Sequence, residues 1–117
     1  MPARSTTRAT PQARPSLPEA DLRAAFSALA NPTRLAIIGW LKDLDGWPPQ
    51  DVPAIEVGVC LKHIQARARV SQSTASQYLA VLQRAGLVTS TRIGPWTHYR
   101  RDEERIAALA SAISHDL

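Results

Sequence analysis

Residues 71–88, Ser71-Gln72-Ser73-Thr74-Ala75-Ser76-Gln77-Tyr78-Leu79-Ala80-Val81-Leu82-Gln83-Arg84-Ala85-Gly86-Leu87-Val88, leave the chain few ways to fold. Ser71 is a helix N-cap candidate, because its hydroxyl can take a free backbone N–H of the first turn. Ala75, Leu79 and Leu82 follow at i, i+4 and i+7, one apolar stripe with a period near 3.6. Gly86 supplies the stop, since glycine accepts the left-handed conformation at a helix C-terminus. Leu87-Val88 begins an extended run. The spacing therefore predicts a helix over 71–85.

The other face of that helix carries Gln72, Ser73, Ser76, Gln77 and Gln83, one cation, Arg84, and no acid. A merely solvated face tends to carry Glu and Lys in i,i+4 pairs. Gln amides and Ser hydroxyls both donate and accept hydrogen bonds. They suit base edges in a DNA major groove, where Gln pairs bidentately with adenine. A polar helix surface with no partner is the plainer alternative.

Charge is distributed unevenly. From Val57 to Arg101, 45 residues hold seven cations (Lys62, Arg67, Arg69, Arg84, Arg92, Arg100, Arg101) and no Asp or Glu. Leu17–Glu56 holds three cations against six acids, and Asp102–Leu117 one against four. A solvated surface mixes the signs, whereas a polyanion-binding surface uses cations to displace counterions from phosphates. A membrane surface would call for Lys/Arg opposite a bulky apolar face, and the outer face of 71–85 is amide and hydroxyl instead.

The rest of the chain arranges itself around this unit. At 117 residues one domain is expected. Residues 1–16 hold three arginines, three prolines and no acid, and read as a disordered basic tail. Leu22, Phe26 and Leu29 predict a first helix over 18–30. Asn31-Pro32, a cap followed by a first-turn proline, opens a second over 32–44, with Leu35, Ile38 and Leu41 on one face and Ile37 and Trp40 beside it. Three prolines make 45–54 a loop anchored by Trp47. Residues 55–59 read as a short strand or lead-in, and Cys60–Ala68 as a helix with Leu61 and Ile64 inward. Arg69-Val70-Ser71 is a tight link into the 71–85 helix, which makes a helix-turn-helix. Residues 87–93 and 96–100 flank Gly94-Pro95 as a β-hairpin, with Arg92, Arg100 and Arg101 placed to meet phosphate, or Arg92 near the tip to enter a minor groove, and Trp96 packed across it. Asp102 caps a last helix, 103–115, whose stripe Ile106, Leu109 and Ile113 looks for cover from the first helix of its own or a second subunit. The predicted class is mainly α with a small β-hairpin, a winged helix-turn-helix.

Three segments carry a family resemblance: Phe26-Ser27-Ala28-Leu29-Ala30-Asn31-Pro32-Thr33-Arg34-Leu35-Ala36-Ile37-Ile38, Ser71 to Leu79 with Leu82 to Val88, and the hairpin from Arg92 to Arg100. Together they resemble the ArsR/SmtB family of bacterial transcriptional repressors, over about residues 18–115. The resemblance implies a homodimer joined through its first and last helices, double-stranded DNA with a palindromic operator as partner, and an effector that weakens DNA binding. It places the positions of Gln72, Ser73, Ser76 and Gln77 against bases. Arg69 stands where the family often has glycine; its side chain is a candidate contact to DNA backbone, with a mere cost in turn strain as the alternative, and Arg84 is a further DNA-contact candidate.

Many metal-sensing members carry two cysteines before the recognition unit. Here the matching run is Glu56-Val57-Gly58-Val59-Cys60-Leu61-Lys62, with one cysteine replaced by Gly58. Soft metals want two or three thiolates, and zinc wants four ligands. Cys60 and His63, at i and i+3 on one helix face, are the sensor candidates, with a redox switch through Cys60 as a further reading. The last helix has Asp102, Glu103 and Glu104 at one end and His115-Asp116 at the other, without the inner histidine of the family's second metal site. No metal or other cofactor is expected.

The leading expectation is a sequence-specific DNA-binding regulator. The alternative is a winged helix used for protein contact. No nucleophile–base pair, paired interior carboxylates or phosphate-cradling glycine loop argues for an enzyme. With no long apolar run and no h-region, and with Cys60 as the lone cysteine, the cytoplasm is the expected compartment.

Overall fold

The computed structural model describes residues 17–117, so the basic tail expected over 1–16 lies outside the described residues. Helix α1 (Glu19–Leu29) leads into α2 (Pro32–Trp40), a short α3 (Ala54–Val57), strand β1 (Val59–Cys60), α4 (Leu61–Ala68), α5 (Gln72–Arg84), β2 (Val88–Ile93), β3 (Trp96–Arg101) and α6 (Glu103–Asp116).

The helix starts follow the capping chemistry. Asn31 Oδ1 accepts from Thr33 N and Arg34 N, each at 2.9 Å. Ser71 Oγ accepts from Thr74 N at 3.0 Å, and Asp102 Oδ1 from Arg105 N at 3.0 Å. Each cap satisfies donors that the first turn leaves without a partner. At the far end of α5, Gly86 takes φ 79°. Leu87 N donates to Leu82 O at 3.0 Å, which closes the helix. The Arg105 guanidinium lies where a Cβ on Gly86 would sit.

α2 stops at Trp40 rather than running to 44. Leu41 N still reaches Ile37 O at 2.9 Å, and Lys42 and Asp43 then close the helix with shorter-range bonds, Lys42 N to Gly39 O at 3.3 Å and Asp43 N to Trp40 O at 3.4 Å, a tightened last turn that feeds the proline loop. The sheet has three strands in the order β1-β3-β2, not two. β2 and β3 pair antiparallel from Val88↔Arg101 to Ile93↔Trp96, and β1 adds Val59↔Tyr99 and Cys60↔His98. Cys60 is thus a strand residue, and α4 begins after it.

The core is built from Ile37, Leu41, Val59, Ile64, Leu79, Leu82, Leu87 and Val88, all fully buried. α5 inserts its Ala75, Leu79 and Leu82 stripe into it as expected. Three apolar residues of the expected helix stripes face out: Phe26 is 41% exposed, Leu35 55% and Ile113 46%. The buried positions of α1 and α6 are mostly alanines, Ala25, Ala28, Ala108 and Ala112, beside Leu109. Small side chains let helices approach closely, so the larger neighbours turn outward.

Candidate nucleic-acid interface

α4 and α5 meet through a three-residue turn. Arg69 closes α4 in the left-handed conformation, φ 58° and ψ 46°, with its N–H on Gln65 O at 2.9 Å and Ala66 O at 3.3 Å. It is the one non-glycine residue at positive φ among the described residues. Arginine there is strained by roughly 1–2 kcal/mol. The turn aims α5 so that its apolar stripe is buried and Gln72, Ser73, Ser76 and Gln77 are all exposed. None of these four side chains makes a hydrogen bond within the described chain. The first turn of α5 holds no acid, so the positive end of its dipole is open to an anion. Gln83, further along, turns to the hairpin instead and donates through Nε2 to Ser90 Oγ at 3.1 Å.

The seven cations of the acid-free run divide into two groups. Arg69, Arg84 and Arg92 are exposed. Arg92, near the hairpin tip, bonds only the Gly94 carbonyl of its own turn, at 3.0 Å. The other four have partners inside the fold. Arg100, expected to meet phosphate, donates from its guanidinium to Glu56 O at 3.0 Å and Ile55 O at 3.4 Å. It sits at the base of the hairpin, opposite Thr89, and satisfies the carbonyls that end α3. Arg101 likewise reaches Ile38 O at 3.4 Å and pairs with Glu103 at 3.0 Å. Lys62 lies over the Trp96 ring at 5.2 Å, and Arg67 between Trp40 and Trp47 at 4.7 and 4.9 Å. Trp96 is therefore a platform for a cation as well as a hairpin residue. Arg34, not singled out from sequence, donates to Ala28 O at 2.7 Å and lies over the Tyr78 ring, which ties α1, α2 and α5 together.

The expected sensor pair does not share a helix face. Cys60 is 2% exposed and sits in β1, its backbone N–H on Gln50 Oε1 at 3.1 Å. An intersubunit disulfide would require β1 to leave β3. His63 lies one turn into α4, beside the cavity that Trp47 and Arg67 also line. Burial first and the Lys62 ammonium second hold its imidazole below the ordinary histidine range, against a smaller opposing pull from the Pro49 backbone. Gly58 explains the missing cysteine of the family motif. It has φ 93°, and a Cβ there would overlap the Tyr99 carbonyl. A thiol cannot stand at 58 while β1 pairs with β3. Among the described residues no three His, Cys, Asp or Glu gather as a metal would need. No described helix is long and apolar enough to cross a membrane.

Comparison with known proteins fits this geometry. No protein-family model matches the chain. The uncharacterized HTH-type transcriptional regulator YbzH of Bacillus subtilis (strain 168) is 44% identical over 94 residues, covering 79% of this chain and 94% of that one. An ArsR-like transcriptional regulator from Rhodococcus sp. RHA1 superposes with TM-score 0.63 at 25% identity, over 83% of this chain and 79% of that one. The chain belongs to the ArsR family of transcriptional regulators. Its fold is also that of Mb0332 from Mycobacterium bovis, a homodimeric winged helix-turn-helix DNA-binding domain described as a possible ArsR-family regulator. That match has TM-score 0.57 at 24% identity, over 99% of this chain and 92% of the other. In this ArsR-family chain α4 and α5 are the helix-turn-helix and β2–β3 the wing, as read from sequence.

Proposed function

We propose that this regulator is a homodimeric repressor that docks α5 in the major groove of a palindromic operator and leaves it on an unidentified signal. The observation that carries the reading is the outer face of α5: four exposed side chains that donate and accept, none partnered, on a helix with no acid. Gln72, Ser73, Ser76 and Gln77 read base edges. Arg69 at the turn, Arg84 at the helix end and Arg92 on the wing contact phosphate and set register. Residues 17–117 carry both DNA binding and dimerisation. The second copy covers the apolar side chains that α1 and α6 leave in solvent, Phe26, Ile113 and Leu117. Exposed large apolar residues on paired helices are the usual mark of such contact, and Mb0332, of the same fold, is described as homodimeric.

The test is fluorescence anisotropy on DNA from just upstream of the protein's own gene, against random competitor, with the protein reduced and then oxidised. Preference for that DNA under both conditions is the expected result and removes Cys60 as the switch. Loss on oxidation and recovery with reductant makes Cys60 the sensor. If titration over genomic fragments finds none bound better than competitor, the reading fails.

A further inference from the structure

Two arginines from other helices grip α5, and both are anchored on α1. Arg34 of α2 donates through Nε to Ala28 O at 2.7 Å and through Nη2 to Ser27 O at 3.4 Å, so its guanidinium rests on the closing carbonyls of α1. Its Cζ stands over the Tyr78 ring of α5, 5.6 Å from the centroid, within reach of a cation–π attraction. Arg105 of α6 pairs with Asp21 of α1 at 3.2 Å. The same guanidinium covers Gly86, its Cζ 2.7 Å from the place a Cβ would take. Gly86 is the left-handed residue that ends α5, so the cation also meets the negative end of that helix. Asp102, whose Oδ1 accepts from Arg105 N at 3.0 Å, donates its own N–H to Leu87 O at 3.0 Å and closes the joint.

We infer that Arg34 and Arg105 are positioning residues that fix the tilt of α5 against α1, so that sequence preference depends on two side chains that touch no base. Tyr78 and Gly86 lie about 12 Å apart along the helix axis, at ~1.5 Å per residue. A helix held at one point pivots, and a helix held at two points that far apart does not. Gln72 lies about 21 Å from Gly86, so a pivot of about 5° there moves it by roughly 2 Å, more than a hydrogen bond to a base edge tolerates. Phosphate contacts are less demanding, because a charge acts over distance with little regard for angle. Loss of either hold therefore reduces preference between DNA sequences and leaves non-specific binding in place. Since both arginines are anchored on α1, the helix given a share in the dimer contact is also the one that sets α5. The consequence for DNA rests on the DNA-binding reading; the hold itself does not.

Two measurements on the full chain test the two parts. The first is made without DNA: NMR residual dipolar couplings of the α5 amides against those of α1 and α6, for the wild type and for Tyr78→Leu combined with Asp21→Asn. Tyr78→Leu removes the ring beneath Arg34 and keeps an apolar side chain, and Asp21→Asn releases Arg105 at a partly exposed pair. The expected result is a set of α5 couplings that no longer fits the orientation shared with α1 and α6. Couplings that still fit one rigid body would overturn the hold. The second is fluorescence anisotropy on the genomic fragment the protein prefers and on random DNA, over a range of salt. Tyr78→Leu is expected to lower the ratio of the two affinities roughly tenfold, about one base contact, with the salt slope unchanged. Asp21→Asn alone, which leaves the core untouched, should lower it by roughly threefold. Tyr78→Phe keeps the ring and should stay within about twofold of wild type. Equal loss on both DNAs or a changed salt slope overturns the role in specificity. A Phe variant as weak as the Leu variant overturns it too, because the Tyr78 hydroxyl would then meet DNA itself. A displaced α5 in a protein that prefers no fragment even as wild type leaves the hold standing and overturns the DNA-binding reading.

Discussion

Two surfaces of this chain leave side chains in solvent that the fold had the means to satisfy, and they do so with opposite chemistry. The outer face of α5 exposes amides and hydroxyls with no partner. The α1–α6 side exposes Phe26, Ile113 and Leu117. A polar side chain loses little by facing water, so the free amides matter for their pattern, an acid-free stripe in the most basic part of the chain. An exposed phenylalanine or isoleucine does lose, at about 25 cal/mol per Å² of apolar area. On the proposed reading the first surface meets a partner that comes and goes, and the second one that stays. Arg105 reinforces the second, pairing with Asp21 at 3.2 Å to fasten α6 to α1.

The sharpest way to break this contrast is to charge the apolar face. Phe26→Glu with Ile113→Glu should convert the dimer to monomer by light scattering. Specific DNA affinity should fall on the order of a hundredfold, because two half-sites no longer bind as a linked pair. A double variant that stays dimeric would move the interface elsewhere. On the other surface the expected loss is smaller and selective. Gln77→Ala should cost ~1–3 kcal/mol on operator DNA and almost nothing on random DNA. Equal loss on both would mean that α5 does not read bases.

A third comparison separates arginines that the sequence treats alike. Arg92→Ala should weaken binding to every DNA and lower the salt slope by about one. Arg100→Ala should leave DNA affinity within about twofold while stability to urea drops by ~1–2 kcal/mol, because the α3 carbonyls lose a charged donor. If instead Arg100→Ala flattens the salt slope, its guanidinium leaves α3 when DNA arrives.

Those arginines also mark the limit of what the sequence discloses. The caps at Asn31, Ser71 and Asp102 and the stripe of α5 are local and were legible, since cap and recipient lie within three residues. Arg100 and Arg101 bond carbonyls 45 and 63 residues away, and no periodicity announces that. β1 is two residues long and exists only because β3 arrives beside it. In α1 and α6, alanine and larger apolar residues alternate around the helix. A period of 3.6 then describes two adjacent stripes equally well, and the choice falls to the packing distance. The positions expected to face DNA are drawn from α5, the turn and the wing, where short-range rules dominate. The holds of Arg34 and Arg105 on α5 join helices far apart in sequence, and nothing local signals them.

The smallest expected effect bears on why Arg69 is an arginine at all. Its left-handed backbone is strained by roughly 1–2 kcal/mol. Glycine would relieve that strain, but it gives back about 0.5–1 kcal/mol in unfolded-chain entropy. Arg69→Gly should therefore stabilise the fold by only ~0.5 kcal/mol in urea, near the limit of measurement. The same substitution removes an exposed cation two residues from the Ser71 cap, at the edge of the polar face. DNA affinity should fall alike on operator and random sequence, with a salt slope lower by about one. A more stable protein that binds DNA less well would mean that the strain is retained for the contact. Unchanged DNA binding would remove Arg69 from the interface and leave α5 and Arg92 to carry it.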